Sequence, residues 1–256
     1  MLSYNDLVDQ AVRASALGWD FSWSRGRTIG GEPSWSYTER ASALLPTTRR
    51  LLDMDTGGGE ILAFLSPLPR RTVAMEGWQP NVAVAAERLR PMNVPVLAGT
   101  ADRIPAREGA FDLVLNRHGA LDAAEAARVL TEGGRLLTQQ VGSRNDLELN
   151  LALGAPPSTD PKSWTLAVAE ERFRECGLHV LDAREEMIDC AFQDIGAVVF
   201  HLRAVSWQVP DFDHDRYEKP LRALHERIRS EGAFTVRHHR FLIEAELRRA
   251  RTVIGR

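Results

Sequence analysis

The sequence predicts an α/β fold in which a mainly parallel sheet carries helices on both faces. From residue 49 to residue 141, short apolar runs alternate with stretches of helical periodicity, which is the pattern of repeated strand–helix–strand units. The runs are almost continuously apolar, as expected for strands that are buried on both sides. Glycines and other turn residues separate one run from the next.

Five strands are expected in this region, and fewer regular elements follow it. After residue 145 the pattern loosens into a proline-containing loop that extends to residue 161. A helix is expected at 164–176, a strand at 179–189, an apolar helix at 194–205 and a last strand at 234–247. The five earlier strands are predicted at residues 49–56, 71–77, 94–100, 111–119 and 133–141.

Composition excludes several classes of protein. The 256 residues carry a formal net charge of −3, so no overall field attracts the chain to nucleic acid or to an anionic membrane. Two cysteines cannot build a disulfide framework and fit a reducing compartment. No apolar run approaches the roughly 18–20 residues that a membrane span needs. These features predict a cytoplasmic protein that is not membrane-bound.

A glycine-rich loop follows the first predicted strand. Gly57, Gly58 and Gly59 would let the backbone approach a ligand and take positive φ, and the helix behind them offers free N–H groups and a positive dipole end. A tight turn without a ligand would have the same sequence. Leu62 occupies a position where a dinucleotide fingerprint needs glycine, and no Gly-Lys-Ser/Thr follows as in a P-loop.

Acidic and basic residues follow the next strands. Glu76 ends the second strand, about 20 positions after the loop, where a carboxylate can accept the ribose hydroxyls of an adenosine-containing cofactor. Trp78 could pack against the adenine, and Asp102 could accept its exocyclic amine or cap a helix instead. Arg117 and His118 end the fourth strand, at the sheet edge where ligands bind in open α/β sheets.

The sequence LLDMDTGGGE, followed by Glu76, Asp102, FDLVLNRH and RVLTEGGRLLTQQV, resembles the class I S-adenosylmethionine-dependent methyltransferases, in particular bacterial small-molecule enzymes. The resemblance covers residues 49–141 and, more loosely, 234–247. It implies a Rossmann-like sheet of seven strands in the order 3-2-1-4-5-7-6, with the last strand antiparallel. It also implies S-adenosylmethionine as the cofactor. The expected cofactor-binding residues are Asp53, Asp55, Thr56, Gly57, Gly58, Gly59, Glu76, Gly77, Trp78, Ala101, Asp102, Asn116 and Arg117.

One residue departs from the family pattern. The family loop usually reads Asp/Glu-x-Gly-x-Gly-x-Gly; Asp53 fits its first position, but Asp55 stands where the first glycine belongs. Aspartate takes positive φ more easily than most residues. Its carboxylate could complement the cofactor's ammonium or sulfonium, or could crowd the methionine moiety. From the sequence we expect Asp55→Gly to leave cofactor affinity equal or tighter; a loss would identify Asp55 as a ligand.

Methyl transfer from a sulfonium is an in-line displacement, so the enzyme mainly has to align the acceptor and exclude water. His118 is the first candidate for a general base, with a packing role beside the cofactor as the alternative. Trp19, Trp23, Trp35 and His238 are candidate substrate-binding residues, although the tryptophans could equally pack the N-terminal segment onto the domain.

The expected division of the chain follows from these assignments. Residues 1–48 form a helical and aromatic lid segment, residues 49–256 form the methyltransferase domain, and an insertion at 205–233 contributes to the substrate cover. The expected partner is a small-molecule methyl acceptor, and the chain is a monomer or homodimer. No metal is expected, because the acidic run 211–215 lacks calcium-loop spacing. A nucleic-acid methyltransferase and a non-catalytic cofactor-binding module remain as alternatives.

Overall fold

The structure is a computed structural model that describes residues 2–15 and 20–248. The helices are α1 (Tyr4–Arg13), α2 (Tyr37–Leu44), α3 (Glu60–Phe64), α4 (Gln79–Leu89), α5 (Ala123–Val129), α6 (Leu147–Leu153), α7 (Leu166–Glu175), α8 (Ile195–Ala204) and α9 (Glu218–Glu231). The strands are β1 (Thr28–Gly30), β2 (Arg50–Met54), β3 (Arg71–Glu76), β4 (Val96–Ala98), β5 (Phe111–Arg117), β6 (Leu130–Val141), β7 (Leu178–Phe192) and β8 (Phe234–Leu247).

The strands form one sheet in the order β1-β7-β8-β6-β5-β2-β3-β4. Without β1, this is the expected order 3-2-1-4-5-7-6 read from the other edge, so the predicted fold class is confirmed. The eighth strand, β1, was not among the strands predicted from the sequence and lies within residues 1–48, for which a helical and aromatic lid segment was expected. It pairs antiparallel with β7, Thr28 opposite Phe192 and Gly30 opposite Cys190. Backbone hydrogen bonds form this short pairing, so it leaves no side-chain pattern to detect.

The parallel strands at the centre of the sheet end at the same edge. β2 pairs with β3 and with β5, and Met54 lies beside Met75 on one side and Asn116 on the other. β3 in turn pairs with β4, where Glu76 lies beside Ala98. The glycine-rich loop and the exits of β3, β4 and β5 therefore share the carboxyl edge, where open α/β sheets bind ligands.

Two helices lie where the sequence predicted a loop and an insertion. These are α6 and α9. The buried face of α9 is formed by Leu221, Leu224, His225 and Ile228, which follow helical spacing. A high density of charged residues on its other face hid this pattern. α2 begins at Tyr37, because the Ser36 side chain caps it by accepting the Glu39 N–H at 3.1 Å.

The chain divides into two compact units, each made of three segments. Unit 1 comprises residues 1–34, 141–164 and 186–240, and unit 2 comprises residues 35–140, 165–185 and 241–256. The core of unit 1 includes α8, in which Ile195 and Val198 are fully buried. The core of unit 2 includes Leu51, Leu62 and Leu113. No helix in the described part of the chain is both long enough and apolar enough to span a membrane.

Candidate functional site

The glycine-rich loop in unit 2 turns from β2 into α3. Gly57 has φ 63° and Gly59 has φ 80°, a region that glycine enters without steric cost. Gly59 is the N-cap of α3 and offers no side-chain cap, so the first N–H groups of the helix are not covered from that position. The Thr56 N–H donates to the Met75 carbonyl at 3.0 Å, which holds the loop against the end of β3.

Glu76 connects this loop to the end of β3. Its side chain is 4% exposed. One carboxylate oxygen, Oε2, accepts the Gly57 N–H at 2.7 Å, and Oε1 accepts the Trp78 N–H at 2.8 Å. Burial raises the pKa of Glu76, and these backbone N–H groups oppose the rise. An ionised carboxylate has about four acceptor positions, so capacity remains for two ligand hydroxyls.

Three carboxylates lie close together here. Burial, with Asp55 and Glu76 adding to it, raises the pKa of Asp53 to about 7. Asp55 has φ 51°, and burial, followed by the charge of Glu76, raises its pKa to about 6. Within residues 2–15 and 20–248, none of the three makes an ion pair. A cation bound beside these three carboxylates would offset the repulsion between their negative charges.

The Asp55 side chain lies against the exit of β5. A Cβ placed on Gly119 would lie 2.4 Å from the Cβ of Asp55 and 2.5 Å from its Oδ2. A Cβ on Gly77 would lie 3.7 Å from Asp55 Oδ1. The carboxylate therefore lies between the exits of β3 and β5, and the absence of a side chain at Gly119 makes room for it.

The residues proposed to hold adenine lie beyond β3 and β4. The Gly99 N–H donates to the Glu76 carbonyl at 3.3 Å, so the two strand exits stay together. Trp78 is 46% exposed, and Ala101 is 7% exposed. Asp102 is exposed. An exposed indole and an exposed carboxylate thus follow adjacent strands at the same edge.

Asn116 is fully buried at the end of β5 and acts within the protein. Its Nδ2 donates to the Ala120 carbonyl at 3.2 Å, and its Oδ1 accepts from Thr138 at 3.0 Å and from Gln140 Nε2 at 2.6 Å. These bonds fix the turn that carries residues 117–119. Arg117 is half-buried and makes no ion pair in the described ranges. Burial and the negative charge of Asp53 raise the pKa of Tyr37, and the positive charge of Arg117 opposes this rise.

His118 has φ 60° and is anchored to β6 by Gln139. The His118 N–H donates to the Gln139 carbonyl at 2.7 Å. The side-chain atoms Gln139 Nε2 and His118 Nε2 lie 2.8 Å apart, and Gln139 Oε1 accepts the Trp35 indole N–H at 2.8 Å. Trp35 is 8% exposed. The structure therefore connects two of the residues selected from the sequence, His118 and Trp35, through one that was not selected.

The other candidate substrate residues are in unit 1 or outside the described residues. Trp23 packs on Phe200, with 5.0 Å between ring centroids. His238 Nε2 lies 3.4 Å from Asp146 Oδ1, and burial lowers the His238 pKa. Trp19 lies among residues 16–19, which are not described. In the described ranges, no group of three or more histidine, cysteine, aspartate or glutamate side chains is placed to hold a metal.

Sequence reasoning missed Gly119 and Gln139. A signal for Gln139 was available, because Thr138, Gln139 and Gln140 are three successive polar residues directly after the apolar pair Leu136 and Leu137, and all three are buried. Buried polar side chains are hydrogen-bonded, so such a run indicates a network. Gly119 gave no local signal, since its role depends on a side chain 64 positions earlier in the chain.

The residues at this edge fit S-adenosylmethionine. Glu76 has acceptor capacity for a ribose. Asp53 and Asp55, which make no ion pair within the described ranges, suit a ligand with a sulfonium and an ammonium. Arg117 suits the carboxylate of the methionine moiety.

Comparisons of sequence agree with this interpretation. The family model of a methyltransferase domain matches residues 52–140. A protein-L-isoaspartate O-methyltransferase of Nitrobacter winogradskyi is 31% identical over 137 residues, which are 52% of this chain and 62% of that protein. One from Rhodopseudomonas palustris is 31% identical over 104 residues, 40% of this chain and 48% of that protein. The chain thus spans only about half to three-fifths of the length of these curated relatives.

Comparison of structures supports the fold. The YcgJ protein of Bacillus subtilis superposes with a TM-score of 0.61 at 18% identity, covering 84% of this chain and 99% of that one. At this identity the likeness concerns the fold alone. Residues 52–140 match the methyltransferase domain family, whose members use S-adenosylmethionine as methyl donor, and the strand order and the loop–Glu76 geometry agree with that match.

Proposed function

We propose that the protein is an S-adenosylmethionine-dependent methyltransferase that moves a methyl group to an oxygen or nitrogen atom of a small molecule. The observation that carries this proposal is the buried Glu76 carboxylate, which accepts the N–H groups of Gly57 and Trp78 and keeps two acceptor positions. A carboxylate held in this way at the end of the second central strand is suited to the two hydroxyls of a ribose.

Each part of the cofactor has a proposed partner. Glu76 holds the ribose, Asp102 accepts the adenine amine and Trp78 packs on the adenine face. Arg117 pairs with the carboxylate of the methionine moiety, and Asp55 complements its ammonium and the sulfonium. The bound cofactor supplies an electrophilic methyl group, and the protein residues align the acceptor behind it and exclude water.

Charge and packing both favour a role for Asp55 in binding the cofactor. A pKa raised to about 6 leaves the half-buried Asp55 mostly ionised at neutral pH, and no cation among the described residues pairs with it. A cationic ligand would offset this cost. Gly119 provides space for the side chain, so this loop accommodates the aspartate without a steric conflict. We therefore now expect Asp55→Gly to weaken cofactor binding, the opposite of the expectation from sequence.

Two measurements test the proposal. Isothermal titration calorimetry should detect binding of S-adenosylmethionine and of S-adenosylhomocysteine. Incubation with S-adenosylmethionine and a panel of phenols, amines and carboxylates should release S-adenosylhomocysteine with at least one acceptor. Binding without release would favour the alternative of a non-catalytic module. Absence of binding would refute the proposed cofactor site.

The kind of acceptor is open within this proposal. The curated relatives are named for methylating an oxygen atom of L-isoaspartate in proteins, which adds a carboxyl oxygen to the acceptors that should be screened. The matched methyltransferase domain, residues 52–140, contains the proposed cofactor-binding residues. It therefore supports the donor side of the reaction more than the acceptor side.

A further inference from the structure

A chain of hydrogen bonds connects the segment before α2 to the exit of β5, by way of a side chain on β6. The Trp35 indole N–H donates to Gln139 Oε1 at 2.8 Å, and Gln139 Nε2 lies 2.8 Å from His118 Nε2. Trp35 is 8% exposed and Gln139 is 2% exposed. The amide between the indole and the imidazole is therefore shielded from water, and its orientation is set by these two partners.

The direction of each bond follows from what each group can donate. An indole N–H is a donor only, so it selects the carbonyl oxygen of the Gln139 side chain. The amide NH₂ group of Gln139 then faces His118. This group also only donates, so His118 Nε2 must be the acceptor and carries no proton. The ring is then neutral, with its proton on Nδ1.

This arrangement opposes use of His118 as a general base. To accept a proton at Nδ1, the neutral ring would have to carry its own proton on Nε2. The Nε2–H group of His118 and the NH₂ group of Gln139 would then be two donors facing each other at 2.8 Å. Rotating the Gln139 amide moves the same conflict to Trp35. If His118 turns away, a buried amide donor loses its partner, at a cost of about 1–3 kcal/mol. The backbone N–H of His118 donates to the backbone carbonyl of Gln139 at 2.7 Å, and this bond holds the residue in place.

We propose that His118 is held as a neutral Nδ1–H tautomer that donates a hydrogen bond, and that the methyl acceptor is a carboxylate. The identity of the acceptor rests on the proposed methyltransferase function, whereas the tautomer does not. A carboxylate is already ionised at neutral pH, whereas a phenol or an alkylammonium, with ordinary pKa values near 10, still carries its proton.

The reaction then balances without proton transfer. A lone pair on the carboxylate oxygen forms the new O–C bond to the methyl carbon while the C–S bond breaks. The electron pair of that bond goes to sulfur, so the sulfonium becomes a thioether. The products are a methyl ester and S-adenosylhomocysteine, and no base is needed.

The tautomer can be measured on the ligand-free protein by long-range ¹H–¹⁵N correlation at neutral pH, with histidine labelled in ¹⁵N. His118→Gln identifies the His118 signals, and His179→Gln is the matched control, because His179 is exposed on β7. We expect the Nδ1–H pattern in the wild type. Gln139→Glu should switch it to Nε2–H, because a carboxylate accepts from both Trp35 and His118. An Nε2–H or doubly protonated His118 in the wild type would overturn the proposal, with no variant required.

The acceptor class is tested with aromatic carboxylates and phenols built on the same ring. We expect methyl esters from the carboxylates, and a loss of no more than about tenfold in kcat/KM for His118→Gln, because removal of a general base typically costs 10²–10⁴-fold. Turnover of phenols that falls 100-fold or more in His118→Gln would refute the assignment. Failure to bind S-adenosylmethionine in calorimetry would refute the methyltransferase function, and the NMR result would still decide the tautomer.

Discussion

Glu76→Gln should weaken cofactor binding by about one to two orders of magnitude. The substitution keeps the size of the side chain but replaces one acceptor oxygen with a donor. Hydrogen bonds to a charged group contribute about 1.5–3 kcal/mol each. Loss of one ribose contact therefore raises the dissociation constant by about 10- to 150-fold, since each 1.4 kcal/mol is a factor of ten.

The same change also affects the ligand-free protein. Both carboxylate oxygens of Glu76 accept backbone N–H groups, from Gly57 at 2.7 Å and from Trp78 at 2.8 Å. The new amide NH₂ must face one of these donors, which leaves a buried N–H unsatisfied. The free energy of unfolding should fall by about 1–3 kcal/mol, measured by urea denaturation.

Calorimetry with S-adenosylmethionine and S-adenosylhomocysteine is the assay for affinity. Glu87→Gln is the matched control, because Glu87 is exposed on α4 and should leave both ligands unaffected. The two ligands share the ribose, so Glu76→Gln should weaken both by the same factor. Wild-type affinity in Glu76→Gln, under conditions in which the variant is folded, would refute the assignment of the ribose to this carboxylate.

Three further predictions concern the neighbouring carboxylates. Asp55→Asn should weaken S-adenosylmethionine more than S-adenosylhomocysteine, which lacks the sulfonium; an unchanged affinity ratio in calorimetry would show that Asp55 does not respond to that charge. Gly119→Ala should weaken cofactor binding, because the new Cβ would lie 2.4 Å from the Cβ of Asp55. The double variant Gly119→Ala, Asp55→Gly should bind the cofactor as tightly as Asp55→Gly alone; weaker binding by the double variant would contradict this packing. The pKa of Asp53, raised by burial to about 7, lies above the roughly 3.9 of an unfolded aspartate. The folded state therefore binds more protons between about pH 4 and 7, and stability should fall as pH rises through that window. Asp53→Asn should flatten this slope in urea denaturation of the ligand-free protein, and identical slopes would refute the shift.

Much of the fold could be predicted because its signals are local. The alternation of apolar runs with helical stretches predicted the central strands, and the resemblance to the methyltransferase family implied their order. The strand predicted at 234–247 agrees with the observed β8, Phe234–Leu247. β1 could not be predicted, since three residues that pair through their backbone need no side-chain pattern. α9 was missed because charged residues dominate its exposed face, although its buried residues follow helical spacing.

For the site, the sequence by itself determined the glycine loop, the glutamate at the end of β3 and the departure at Asp55, because each depends on residue type and spacing along a strand–loop–helix unit. Only the tertiary structure decided what Asp55 and His118 contact. Asp55 lies against Gly119 because β2 and β5 pair in register, Met54 beside Asn116. His118 meets Gln139 because Arg117 and Gln139 are partners across β5 and β6, and Trp35 reaches that amide from a position 104 residues away. Donors and acceptors from separate segments meet only after strand register is set, so the protonation of His118 cannot be deduced from the sequence around it.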